Sequence, residues 1–188
     1  MEKQFEQFLN ELTHTILKEY GERIFSLVLY GSFARRKAKQ GSDLDILIQL
    51  QDGVPKEIGA GINELLIAID KKHRLDVSWT LRVPLLRHIH PPIIILGYRE
   101  INWASGVFDN PNLRWTIALS VGSKSLFFCS LKKQGRVLYG TNVLDQIQVN
   151  IGLLDWLVSY LMYPFYRVGK LTAKLYYCLF IRVRTLSD

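Results

Sequence analysis

The sequence predicts an α/β (α+β) fold: a small mixed β-sheet flanked by helices, with a C-terminal helical extension. Three observations carry this expectation. Apolar segments with helical and strand-like periods alternate from the start of the chain to residue 81. The strand-like runs are short and apolar enough to be covered by helices. From Val143 onward the chain reads as helical. The domain division expected is therefore 1–140 for the sheet-bearing unit and 141–188 for the helical extension.

Phe5, Phe8, Leu9, Leu12, Ile16 and Leu17 recur at helical spacing, so residues 3–20 form an amphipathic helix stopped by Gly21. Ile24 to Tyr30 is a nearly continuous apolar run that suits a strand covered on both faces, and Gly31 ends it. Residues 32–39 read as a short basic helix and Gln40-Gly41-Ser42 as a turn. Leu44, Ile46 and Ile48 alternate with Asp43, Asp45 and Leu47, which predicts a strand over 43–50. Pro55 opens a helix with an apolar stripe of Ile58, Ile62, Leu65, Leu66 and Ile69, which Gly59 and Gly61 weaken by about 1 kcal/mol each. Residues 74–81 alternate again and read as a third strand carrying Asp76.

Beyond residue 83 the pattern is broken by Pro84, Pro91, Pro92 and Pro111. Residues 113–133 admit either a broken helix or a hairpin turning at Gly122-Ser123, and Arg136 to Tyr139 reads as a short strand. In the extension, Leu153, Leu154, Trp156, Leu157, Tyr160, Leu161 and Tyr163 are apolar, Pro164 interrupts, and basic residues then alternate with Leu and Tyr. A helical hairpin packed on the domain or on a second subunit accounts for this better than a basic amphipathic element at a membrane.

Composition narrows the class. The 188 residues are 48% hydrophobic and 22% charged, which excludes global disorder. Lys and Arg exceed Asp and Glu by 24 to 17, a net +7 that favours polyanionic ligands without choosing among them. Cys129 and Cys178 are far apart, which argues against a structural zinc site and for a reducing, cytoplasmic setting. The polar start Met1-Glu2-Lys3-Gln4 precedes no signal-peptide core, and no apolar run reaches the roughly 20 residues of a membrane span.

The chemistry lies in residues 30–46. An apolar strand runs into Gly31-Ser32, where a helix begins. A glycine lets the backbone approach a phosphate closely, a helix N-terminus offers free N–H groups, and Ser32 adds a hydroxyl. Arg35, Arg36 and Lys39 add positive charge. Asp43 and Asp45, two apart on a strand, share a face with Cα atoms about 6.6 Å apart. Two such carboxylates repel unless a cation lies between them, and Mg²⁺ prefers oxygen ligands. Asp76 on a neighbouring strand would supply a third carboxylate. No Gly-Lys-Ser/Thr follows Gly31 at Walker spacing.

Gly31-Ser32, a ten-residue gap, Asp43-x-Asp45 and a later strand aspartate together resemble the signature of the DNA polymerase β nucleotidyltransferase superfamily. Arg35 sits where minimal members often carry an arginine, and Gly135 to Gly140 is similar to a short strand that follows their catalytic core. Those minimal members include antitoxin partners of small helical ribonuclease toxins and kin of the aminoglycoside nucleotidyltransferases. The resemblance covers residues 24–80 well and 134–140 loosely.

The resemblance implies a nucleotidyltransferase fold in which 1–140 is the catalytic domain. Gly31, Ser32, Arg35 and Ser42 would hold the nucleotide. Asp43 and Asp45 would bind two Mg²⁺ ions, and Asp76 would complete the catalytic metal site. The implied reaction moves an NMP from an NTP, ATP being the expected donor, to a hydroxyl of a protein, a small molecule or RNA, with release of pyrophosphate. The competing expectation is an antitoxin-like binding module that neutralises a helical protein partner by contact through the C-terminal helices, which would also serve a homodimer. His88 and His90 read as polar loop residues, and the four tryptophans as core or interface.

Overall fold

The computed structural model describes residues 2–38, 42–83, 86–109, 114, 117 and 123–182. Helix α1 (Glu2–Tyr20) leads through a 3-10 turn into β1 (Ile24–Leu29). One helical turn, α2 (Gly31–Ala34), follows, and then β2 (Ile46–Leu50). Helix α3 (Lys56–His73), a 3-10 turn (Trp79–Arg82) and the short α4 (Leu86–Ile89) carry the chain to β3 (Ile93–Gly97). Strands β4 (Ile101–Asn102) and β5 (Val107–Phe108) make a small separate ribbon. Helix α5 (Lys124–Gln134), β6 (Arg136–Gly140), a 3-10 turn and α6 (Leu153–Tyr176) complete the described order, with a π-helical turn (Tyr177–Arg182) after α6.

The main sheet has the order β3-β2-β1-β6. β1 runs antiparallel to both neighbours, whereas β2 and β3 are parallel. A parallel pair cannot be joined by a tight turn, and α3 provides the crossover it requires. Both faces of the sheet are covered, which is why β1 and β2 are apolar at nearly every position. On one face Leu27, Leu29, Ile46 and Ile48 pack with Phe8 and Leu12 of α1 and Ile62 and Leu66 of α3. On the other, Val28, Leu47, Ile94 and Leu96 pack with Trp103, Phe108 and α5 residues Phe127, Phe128 and Leu131. The second cluster continues through Val143, Leu144 and Ile147.

The mixed sheet flanked by helices matches the expected fold class, and four differences change the details. The alternation over 74–81 does not form a strand. Arg74 and Asp76 both take left-handed conformations (φ 56° and 59°), and the chain winds into the 3-10 turn instead. The buried Asp70 carboxylate causes the winding: it accepts from the backbone N–H of Val77 (3.1 Å) and Ser78 (2.8 Å) and from the Ser78 hydroxyl (2.5 Å). The place beside β2 belongs to Ile93–Gly97, hidden in sequence behind Pro91-Pro92. The strand expected over 43–50 begins at Ile46, and the basic helix over 32–39 stops after one turn, with Arg36 left-handed. Pro164 does not end its helix; α6 passes through it as a single rod. The expected turn at 40–42 falls mostly outside the described residues, as do Lys39 and the hairpin at Gly122.

Candidate active site

Gly31 takes φ +70°, which glycine adopts without strain, and the Asp45 side chain lies directly over its Cα. A Cβ built at residue 31 would overlap that carboxylate, so glycine is required by both backbone and contact. The Tyr30 N–H donates to the Asp45 carbonyl (2.9 Å), which fixes the end of β1 against the entry to β2. Gly31, Ser32, Arg35, Ser42, Asp43 and Asp45 line one cleft. The residues expected around a phosphate cradle and a carboxylate pair are thus adjacent. Arg35 is aimed by its hydrogen bond to Gln134 of α5 (2.9 Å).

The same cleft is lined by four residues the sequence pattern did not assign: His90, Tyr166, Lys170 and Lys174. His90 Nε2 lies 3.1 Å from Asp43 Oδ2. The Lys170 ammonium pairs with the same oxygen. The Trp79 indole N–H donates to Asp43 Oδ1 (2.8 Å), and the Tyr166 hydroxyl lies 3.3 Å from His90 Nε2. Strand register explains His90. Ile46 pairs with Ile93 in the parallel ladder, so the residues three before each, Asp43 and His90, arrive together at one end of the sheet. Lys170 and Lys174 follow Tyr166 at i+4 and i+8, one helical face, a spacing readable in the sequence once the helix is known to run through Pro164.

Asp76 does not join this group. It lies outside the cleft lining, and its Oδ1 accepts a hydrogen bond from the Tyr177 hydroxyl (2.7 Å). The cause is the turn held by Asp70, which replaces the strand expected to carry it. Among the described residues no three His, Cys, Asp or Glu side chains form a metal-binding group. In this structure Asp43 and Asp45 stand as a pair, with Asp76 apart from them.

The two aspartates of that pair differ electrostatically. Burial pushes the Asp43 carboxyl up, but the His90 hydrogen bond and the Lys170 ammonium outweigh it and hold the group at about 2. Burial raises Asp45 to about 6; the Asp43 charge adds to the rise, and His90, Lys170 and Arg35 offset it only in part. A charged carboxylate thus sits beside one reluctant to ionise, the state expected of two acidic groups sharing one cation site. The Lys170 ammonium stands in that site as a cation, and the donor set suits a hard ion. Mg²⁺ is commonly held by one or two carboxylates together with substrate phosphates, so Asp43 and Asp45 fit it without a third protein ligand. A second, more apolar cavity adjoins the cleft. It shares Gly31, Arg35, Asp45, His90 and Tyr166 and adds Tyr30, Ile94 and Phe127.

The carboxylate pair and cationic lining of the cleft suit a phosphate ligand with a divalent cation, and the chain is similar to known proteins over this region. Residues 11–103, just under half of the chain, match the family described as "Nucleotidyltransferase domain". It is 26% identical over 107 residues to "Putative protein adenylyltransferase MJ1305" of Methanocaldococcus jannaschii, covering 53% of this chain and 73% of that protein. Among solved structures, "Crystal structure of the toxin-antitoxin with AMP-PNP" overlaps at a TM-score of 0.38, with 12% identity over 88% of this chain and 92% of that one. "Crystal structure the toxin-antitoxin MntA-HpeT mutant-D39ED41E" overlaps at 0.38, with 11% identity over 85% and 90%. These overlaps are loose. Among the described residues no helix is long and apolar enough to cross a membrane.

Proposed function

We propose that this protein is a nucleotidyltransferase that moves an NMP from an NTP, with ATP as donor, to a hydroxyl acceptor on a protein, a small molecule or RNA, releasing pyrophosphate. The observation that carries the reading is the Asp43–Asp45 pair set against Gly31 in a cleft lined with cationic side chains. Gly31, Ser32, Arg35 and Ser42 bind the triphosphate. Two Mg²⁺ ions, when held by Asp43 and Asp45, supply charge neutralisation at the phosphates. The chain's own contribution is positioning: Arg35 braced by Gln134, Asp43 braced by Trp79 and His90, and an apolar cavity beside the cleft for the base or the acceptor. The free thiols Cys129 and Cys178 are in keeping with work in a reducing compartment, the cytoplasm.

Incubation with α-labelled ATP, Mg²⁺ and candidate acceptors tests the reaction. Transfer that requires Mg²⁺ and falls by at least 100-fold in Asp45→Ala is expected. Equal label on wild type and Asp45→Ala in every condition would end the enzyme reading. A second reading is favoured by one observation, the apolar surface of α6, where Leu153 is 85% and Tyr160 79% exposed. On that reading the protein neutralises a helical partner by contact, and co-purification that survives Asp43→Ala distinguishes it from catalysis.

A further inference from the structure

The phosphate cradle was expected from residues 31–42 alone, yet two of the three Lys and Arg side chains lining the cleft, Lys170 and Lys174, come from the far end of the chain. Tyr166, Lys170 and Lys174 lie on one face of α6 and line the same cleft as Ser32 and Arg35. Lys170 is two-thirds buried, unlike the exposed lysine of a solvated helix, and its partner Asp43 is almost fully buried. Its stem passes the Tyr166 ring, with Nζ 5.6 Å from the ring centroid and 3.4 Å from the hydroxyl. Lys174 lies over Trp79, 5.7 Å from its centroid, and Trp79 in turn donates to Asp43. The helix is anchored at this end, because Tyr177 is buried with Trp79, Val83 and Leu86 and donates to Asp76. Lys170 is therefore held in the cleft by a packed element.

We propose that Lys170 is a phosphate-binding residue of the nucleotide site, supplied by the C-terminal helix, and that its pairing with Asp43 is its resting position. This rests on the nucleotidyltransferase reading of the same cleft. A divalent cation and an ammonium cannot both hold Asp43 Oδ2, since like charges at contact distance repel. Arg35 and Ser32 line the same cleft, so a triphosphate bound there offers an anion to the displaced ammonium. Lysine is suited to such a switch, because its flexible stem lets three N–H donors turn from a carboxylate to a phosphate without movement of the helix.

Calorimetric titration of ATP, ADP and AMP, each with Mn²⁺, into wild type, Lys170→Met and Lys170→Arg tests this. Lys170→Met should weaken ATP binding by about 10- to 100-fold, the effect of a lost charge-assisted hydrogen bond, and AMP binding by less than about twofold. Lys170→Arg should stay within about threefold for ATP. Unchanged or tighter ATP binding by Lys170→Met would reduce Lys170 to a counter-ion of Asp43 and overturn the proposal, as would equal losses for ATP and AMP. Binding of none of the three by wild type would overturn the nucleotide reading itself, and this inference with it. If Lys170→Met does not fold, acylation of Lys170 in wild type decides by mass spectrometry. ATP with Mn²⁺ should slow modification relative to AMP with Mn²⁺, and equal rates would refute the phosphate contact.

Discussion

Asp45 shows what the cleft demands of single residues. Its carboxyl is raised by burial to about 6, against 3.8 for an ordinary aspartate. The folded state therefore holds a proton that the unfolded chain has already lost between pH 4 and 6. The stability this contributes is complete below pH 3.8 and disappears as pH rises through 6, leaving a cost of up to about 3 kcal/mol at pH 7. Asparagine cannot ionise. Urea denaturation should show Asp45→Asn gaining on wild type between pH 4 and pH 7 by up to about that amount, while transferase activity is lost. A gap that does not change with pH would mean Asp45 is not the buried acid described. Residue identity made this pair legible in sequence, because aspartate is disfavoured in strands and two at alternate positions needed a reason. His90 gave no such signal. Forty-seven residues from Asp43, its place depends on the register of the parallel strand that follows it, and the proline pair before that strand disguised it.

At the scale of elements, local pattern served where one element decides its own structure and failed where a distant side chain does. α1, β1 and α3 follow their apolar periods because each buries its stripe in a sheet-face cluster. Residues 74–81 have the same alternation as a strand, but Asp70, eight residues before Ser78, offers a buried carboxylate whose three hydrogen bonds outweigh the pattern. Those bonds form only after α3 has delivered Asp70 to the core, so periodicity alone could not reveal them. Asp70→Ala removes both acceptor oxygens and all three hydrogen bonds and leaves the Val77 and Ser78 donors buried, at a cost of roughly 3 kcal/mol or more. The denaturant midpoint should drop accordingly. Because Trp79 follows this turn and braces Asp43, nucleotide affinity should weaken in the same variant. A stability within about 0.5 kcal/mol of wild type would show that the turn does not depend on Asp70.

For the whole molecule, α6 has two faces with different uses. Its cleft face carries Tyr166, Lys170 and Lys174, while Trp156, Phe165 and Leu171 are among the large apolar side chains left in solvent. Both sheet-face clusters are built without it and close by Val149. Among the described residues, only the small cluster around Trp79 takes side chains from beyond residue 152. A chain ending at residue 152 should therefore keep the sheet and a cooperative thermal transition, since the area it stops burying is a small part of the whole. It should also lose ATP affinity by at least as much as Lys170→Met, because Lys174 leaves along with Lys170. Its solubility should rise as the exposed apolar face is removed. Circular dichroism melting and calorimetry check the first two expectations, and light scattering the third. A truncated chain that unfolds without cooperativity would place α6 in the folding unit. One that binds ATP as the full chain does would show that the cleft needs nothing from α6.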